Sequence, residues 1–487
     1  MALEAKARMN GTIGLHQLLI GIGLLFFASV LVESFRNTAG MTGSSLVAAF
    51  LLFGGLAVYI PAGYAVGKIR SSKWFAAGLA VVALIPRIVW ILAIDSPPIS
   101  DFLDMYMAAQ QAAAGDFSFS SSPYFTRWVH QTGFTLYEAL ILALTGGSIV
   151  SLKVLNAVYQ AATAVAVYRI GSWLFGEGCG RAAALTYASY VPLIMMCSVL
   201  TNQHLSTLLM ALGCCFAVRH GGESRIGGIA AGSFFAFGHL IRPTGTFFLG
   251  IFVIYALLLA VDWEKGRIRI RLRPLVWQAA GACIAFMLIV QACNFALIRT
   301  GITDGPITAN PEPYWKFMVG LNPETTGGWS WEDDRYALQF PLGEERNQAE
   351  LERLRERLAS KKDVLLLISR KWSAMWGGED SAAMWSLGEL ELPQLAKRLA
   401  YAERAQYMAT AALGAASMVL LLCRKGQGQH SMAGPGLAFV LMLLLGYAAL
   451  HAIIEIQTRY RHDIMPYFVL MASIVFAARR KKGNGLL

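Results

Sequence analysis

The sequence predicts an all-α polytopic membrane protein of about 12 transmembrane helices, with juxtamembrane helices and one larger extracytoplasmic insertion. Three observations predict it. Hydrophobic residues make up 56% of the chain and charged residues 15%, against roughly 25% charged in a soluble domain. Apolar runs of about membrane-spanning length recur from one end to the other, and mean hydropathy is +0.50. Lysines and arginines cluster at the ends of those runs, as bilayer topology requires.

The first run follows MALEAKARMN. It is long enough to span and no small-residue cleavage site follows it, so it is expected to be a retained helix. Runs follow at about 12–32, 45–67, 74–95, 152–171, 182–199, 203–219, 226–240, 245–262, 275–297, 404–423, 435–453 and 463–479. FTLYEALILAL at 134–144 is too short to cross and contains Glu138. Charge parity tests the count. With Lys6 and Arg8 inside, the clusters at 68–73, Arg169, Arg181, Arg219, Arg225, 264–273, Arg424, Lys425 and 478–482 all fall inside, provided 134–144 does not span. That segment is therefore expected to lie along the outer interface. The expected location is the plasma membrane, with both termini cytoplasmic and the active site extracytoplasmic.

Three regions follow: a transmembrane module at 1–297 with a large outer loop at 96–151, an extracytoplasmic insertion at 298–403, and C-terminal helices at 404–487. Smaller outer pieces are expected at 33–44, 201–203, 240–244 and 454–462. The insertion opens with ANPEPYWKFMVGLNPETTGGWSWEDD, rich in Trp, Gly and Pro and so loop-like. Leu351, Leu354 and Leu358 then recur at helical spacing, with Trp372 and Trp376 closing an amphipathic run expected at the membrane surface.

Composition also excludes. The net charge of +11 sits at helix ends, so no nucleic-acid partner is implied. Cys179, Cys197, Cys214, Cys215, Cys283, Cys293 and Cys423 are odd in number, apolar in setting and without a CxxC pair. Neither a disulfide framework nor a zinc site follows. No phosphate-cradling GxxxxGK[ST] or strand-bound GxGxxG occurs, so an activated substrate is expected to arrive in the membrane as a lipid phosphate.

Candidate site residues gather in the outer pieces. ISDFLDMYMAA carries Asp101 and Asp104, three apart and on one face of a helix. Arg127 and His130 follow in the same loop, Asn202 and His204 in TNQH, His239 and Arg242 in GHLIRPTG, and Glu455, Arg459, Arg461 and His462 in EIQTRYRHDIMP. A carboxylate base with several guanidiniums suits a phosphate leaving group, because the arginine fork grips two oxygens and stays charged. Arg87 lies inside the third run, where a charge is expected to face protein or a polar cavity.

The chain resembles the GT-C polyprenyl-phosphate-sugar glycosyltransferases. It is similar to protein O-mannosyltransferases and to the bacterial aminoarabinose transferase of lipid A. SDFLDMYMAA resembles the family's catalytic Asp motif with its juxtamembrane helix, and FTLYEALILAL before Gly146 and Gly147 resembles the second such helix. GHLIRPTG and RYRHDIMPY resemble motifs of prokaryotic members. Two additional spans precede the motif loop, and QTGFTLYE stands where a His-Pro-Pro or Lys-Pro-Pro often occurs. The resemblance implies a polyprenyl-phosphate sugar donor, an acceptor hydroxyl on protein, glycan or lipid, and inversion, with Asp101 as general base. Asp104 is then an alternative base or a ligand to the divalent metal ion some members use. Arg242, Arg459 or Arg461 would hold the departing phosphate, with Arg127 and Arg87 as further cations. An O-antigen ligase or polymerase-like enzyme, leaning on Arg and His, is the alternative reading; a lipid or sugar transporter is the non-enzymatic one.

Overall fold

The computed structural model describes residues 2–219, 225–264, 267–270, 274–423 and 435–477. Several of the basic residues used for topology (Lys265, Arg271, Arg273, Arg424, Lys425 and 478–482) lie outside them. Among the described residues the regular structure is helical apart from one short antiparallel hairpin, β1 (Val261–Glu264) with β2 (Arg267–Ile270).

The membrane helices are α1 (Ala2–Thr42), α2 (Ser45–Gly67), α3 (Ser72–Ala93), then, after α4 (Asp101–Ala113) and α5 (Thr132–Thr145), α6 (Ile149–Phe175) and α7 (Glu177–Ala188). They continue with α8 (Gln203–Val218), α9 (Arg225–Ile241), α10 (Gly245–Ala260) and α11 (Pro274–Arg299). The insertion contributes α12 (Trp315–Gly320), α13 (Glu344–Leu358) and α14 (Lys361–Trp372), and the chain closes with α15 (Pro393–Cys423), α16 (Pro435–Ile453) and α17 (Arg461–Ala472). Among the described residues seven helices are long and apolar enough to cross a membrane, and α8, α9 and α10 are shorter apolar helices.

Two of the expected spans are not continuous. The run at 182–199 breaks after Ala188: a new short helix starts at Val191 with Pro192 in its first turn, and a 3-10 turn follows at Met196–Ser198. Proline lacks the N–H that would continue the ladder but suits the first turn of a helix. The run at 463–479 is helical only to Ala472, then tightens to a 3-10 turn. The expected outer piece at 33–44 is instead the last turns of α1, and only Gly43 and Ser44 separate it from α2.

Apolar side chains point both inward and outward. Leu46, Phe50 and Phe53 on α2 and Val81, Val82, Ile85 and Val89 on α3 are exposed, as lipid-facing helices require. Inside, small residues let helices touch. A Cβ on Gly228 or Gly232 of α9 would collide with the α11 backbone at Gln278 and Ala282, the close approach that small-xxx-small spacing permits.

The ends of the bundle differ. At one end Arg181 bonds Gly67 O, Ile69 O and Ser72 Oγ, joining two loops expected on the cytoplasmic side. The pieces expected on the outer side meet at the other end. Arg127 binds Glu312 and Asp334 at 2.6 Å each and lies over the Trp128 and Trp315 rings, fastening the 96–148 region to the insertion. The insertion is tied in turn to the 454–462 turn, where Glu455 N donates to Lys316 O and Ile456 N to Gly327 O.

The insertion is more helical than its composition suggests. Its Trp- and Pro-rich opening holds α12 and a turn of helix at Trp331–Ala337. The amphipathic run divides into α13 and α14 where Ser360 caps Asp363 N. Trp372 and Trp376 do not rest on a surface; both pack edge-on against Phe26 of α1, and Trp376 is buried.

Candidate active site

The segment from Ile94 to Ser100 is what sets Asp101 in place. Pro97 and Pro98 keep it extended. Lys153 Nζ, buried in α6, donates to Asp95 Oδ1 and to Ser96 O at 3.0 and 2.9 Å. Ser96 Oγ donates to Ser386 O at 2.6 Å, so the insertion grips the same point. Directly before Asp101, Ser100 is held at φ +53° and ψ −139°. An L residue adopts that conformation only under strain, typically 1–3 kcal/mol, and such strain concentrates at functional positions.

Asp101 then opens α4. Phe102, Met105, Ala108, Ala109 and Ala112 form the buried stripe of this helix, packed on α5, while Asp101 and Asp104 share the open side. α5 is a 14-residue helix, about 21 Å long at 1.5 Å per residue and too short to cross. Gly146 at φ +68° ends it, with Gly147 N donating to Leu142 O. At its start Gly133 is required by contact: a Cβ there would lie 1.8 Å from Leu240 O. That closeness brings the 240–244 turn, with Arg242, against the first outer loop.

The turn after α16 completes the recess. Arg459, on the 3-10 turn Thr458–Tyr460, lies over the rings of Phe102 at 5.1 Å, Trp385 at 4.8 Å and Tyr460 at 5.5 Å. Phe102 adjoins Asp101 in sequence, and the guanidinium is near enough to act electrostatically on the Asp101 carboxylate. Arg242 lies over the same Tyr460 ring at 5.3 Å. It donates to Asp463 Oδ2 at 3.2 Å and to Asn202 Oδ1 at 3.0 Å, and Asn202 donates on to Gln131.

Pairing decides which charges are available. Arg242 is matched by Asp463. Lys316 of α12 is matched by Glu455. Arg459 forms no ion pair among the described residues; its Nε donates to Gln457 Oε1. Neither the Asp101 nor the Asp104 carboxylate accepts a hydrogen bond from a described side chain. The recess thus presents one unmatched guanidinium and one unmatched carboxylate pair.

Electrostatics follow from this. Asp101 touches open solvent but is crowded by protein, and that desolvation pushes its carboxyl above the ordinary aspartate value; Arg459 and Lys316 oppose the rise, and Asp104 and Glu455 add to it. Asp104 is raised by desolvation alone. Burial, with Arg242 nearby, makes the Arg459 charge unfavourable and lowers its pKa, despite the help of Tyr460 and Asp101. An undercompensated buried cation is a place where an anion binds with gain. Burial opposes protonation of Lys316, but Glu455 outweighs it and holds the ammonium firmly charged.

Other expected site residues are engaged elsewhere. Arg461 is fully buried and bonds Thr458 O, Gly378 O and Asp380, with Tyr407 beneath it. His462 pairs with the same Asp380 at 3.0 Å. Burial alone would raise Asp380, yet His462 and Arg461 hold it down to about 2. Arg127 is spent on Glu312 and Asp334. His204 lies in α8, bonded to Gln160 and Met196 O, and Arg87 is buried in α3, bonded to Ala83 O and Ala188 O. These side chains were legible as polar groups at a costly depth, but they brace the bundle rather than line the recess. His130 lines a neighbouring cavity, where burial and then Lys316 push it down to about 3.

Lys316 and Tyr460 are residues of the candidate site that motif reasoning did not select. Tyr460 stands between the chosen arginines in EIQTRYRHD. Lys316 stands between Trp315 and Phe317 in a stretch read as loop, and a lone cation among aromatics was its only signal.

A divalent ion finds little support in the donor set. Asp101 and Asp104 supply two carboxylates from one turn, and no cluster of three or more His, Cys, Asp or Glu suited to a metal occurs among the described residues.

With this geometry in view, comparison with known proteins is informative. The family described as dolichyl-phosphate-mannose-protein mannosyltransferase matches residues 133–293, about a third of the chain, from the start of α5 to the body of α11. The match bears out the GT-C resemblance and supports a multi-pass membrane glycosyltransferase of that type. No curated protein matches the chain.

Proposed function

We propose that the protein transfers a sugar from a polyprenyl-phosphate donor to an acceptor hydroxyl on the extracytoplasmic side of the plasma membrane, with inversion. The observation that carries this reading is that Arg459 stacks on Phe102, next in sequence to Asp101, while neither Arg459 nor Asp101 forms an ion pair among the described residues. Asp101 takes the proton from the acceptor hydroxyl as its oxygen attacks the anomeric carbon. The bond to phosphate breaks on the opposite face, and the lipid phosphate leaves with an added negative charge. Arg459 receives that charge, and Arg242 supports it from beside Tyr460. Lys316 raises the local positive potential without leaving Glu455. Asp104, one turn on, keeps the electrostatic field at Asp101 negative and so keeps the base basic.

The general-base step commonly supplies about 10²–10⁴ in rate. Transfer of radiolabelled sugar from a polyprenyl-phosphate donor should therefore fall by at least about a hundredfold in membranes carrying Asp101→Asn. Transfer at the wild-type rate removes Asp101 as the base. The ligase-like alternative leans on Arg and His, and transfer that survives Asp101→Asn but is lost in Arg459→Ala or His462→Ala would favour it.

A further inference from the structure

Beside the recess, between the 128–130 turn, the 240–243 turn and the beginning of the insertion, lies a cavity of about 210 Å³. Trp128, His130, His239, Ile307, Asn310 and Lys316 are among its walls, and Asp101 is not. Lys316 is the shared partition. It is coupled electrostatically to Asp101 on one side and borders the cavity with His130 on the other.

The wall chemistry is specific. Neither the His130 nor the His239 imidazole makes a hydrogen bond to any described residue, although His239 Nδ1 is completely buried. Leaving such a group unpaired costs stability. Two neighbouring imidazoles persist here with only ring contacts, His130 to Trp128 and His239 to Phe286. His130 is held neutral by burial and by Lys316, so its ring both donates and accepts. Lys316 and Asn310 add donors, and Ile307 and Pro243 supply apolar surface. The volume is below the roughly 300–1,000 Å³ of pockets for drug-sized ligands, and so is suited to a single ring. Mixed donors and acceptors with apolar patches match a polyhydroxylated ring better than a phosphate, which would want the cations alone.

We propose that this cavity binds one hydroxyl-rich sugar ring and governs which sugar is presented beside Asp101. The inference rests on the glycosyl-transfer reading above and adds the ligand class of a second compartment. Such a ring is carried either by the lipid-linked donor or by the acceptor, and the two sources are separable by experiment.

The full chain in lipid nanodiscs is treated with diethyl pyrocarbonate, and modification of His130 and His239 is read by mass spectrometry. Methyl α-mannoside, methyl β-glucoside and polyprenyl-phosphate mannose serve as probes. At least one is expected to protect both histidines in the wild type, and Ala309→Trp, which fills an exposed wall position, is expected to abolish the protection. Donor hydrolysis and transfer to the methyl glycosides then locate the source. A tenfold or larger rise in KM for the lipid donor in Ala309→Trp assigns the cavity to the donor's ring. The same rise confined to the methyl glycoside, with donor hydrolysis intact, assigns it to the acceptor's. No protection by any probe, together with unchanged KM values in Ala309→Trp, overturns the proposal. If the wild type turns over no donor at all, the glycosyl-transfer reading fails, and the protection result alone decides the cavity.

Discussion

Replacing Arg459 by glutamine removes the one guanidinium in the recess that no carboxylate balances. Arg242 stays tied to Asp463 and Lys316 to Glu455, so neither moves in without abandoning a buried acid. The size of the loss follows from the setting. A unit charge about 4 Å from a developing phosphate charge, at an effective dielectric near 20, is worth roughly 4 kcal/mol. Loss of one preorganised donor typically costs about 10²–10³ in kcat, in line with that figure. Turnover of radiolabelled polyprenyl-phosphate sugar at saturating donor should therefore fall by about 10²–10³ in Arg459→Gln. Arg459→Lys should retain more, since it keeps the charge but loses the planar fork and the stacking over Phe102, Trp385 and Tyr460. Arg461→Gln provides the contrast. Breaking its buried pair with Asp380 should cost about 3–5 kcal/mol of stability and lower the melting temperature, a change Arg459→Gln should not reproduce. Near-wild-type turnover in folded Arg459→Gln protein would refute the assignment of the leaving-group site.

Two further outcomes concern pH. Because Asp101 must be ionised to act as base, kcat/KM should rise with pH through an apparent pKa above the ordinary aspartate value. Arg459→Gln removes a cation that lowers this pKa and should move the limb to higher pH, while Asp104→Asn removes a repelling charge and should move it lower; a limb that stays put in both variants would detach Asp101 from the rate. In the insertion, burial and then Glu312 push Glu350 up to about 8, against Arg127 and Arg346. The folded state thus keeps a proton that the unfolded chain releases near its ordinary value, so stability should decline as pH rises through the window from there to about 8. Thermal unfolding of detergent-solubilised Glu350→Gln across that window should show a flatter profile, and a decline parallel to the wild type would assign the slope to other groups.

The fold was legible because lipid imposes a one-dimensional code. Runs such as 45–67 and 275–297 have no water to satisfy their backbone, so they are helices wherever they fall. The segment at 134–144, which the parity of Lys and Arg reads as non-spanning, is the short helix α5, ended at Gly146. The code failed where hydropathy does not report continuity. Pro192 and the tightening after Ala472 interrupt runs that look apolar throughout. It failed again at Trp372 and Trp376, where aromatic amphipathicity signals either a membrane surface or a protein groove, and Phe26 supplied the groove.

The site was legible only as residue types. Arg459 and Arg461 are two positions apart in one motif and look equivalent, yet one acts electrostatically on Asp101 and the other is locked to Asp380. What separates them is where the partner acids come from. Asp380 belongs to the insertion, some eighty positions earlier in the chain, and nothing local announces that it will claim Arg461 and His462 together. Lys316 was missed for the same reason, since its meaning depends on Glu455, 139 positions away. Long-range pairing is thus what turns a cluster of arginines into a site: the cation that chemistry can use is the one that folding leaves unpaired. By that criterion Arg459, rather than Arg461, is the guanidinium we propose for the departing phosphate; Arg87, which also lacks an acid partner, is bonded to backbone carbonyls within the bundle.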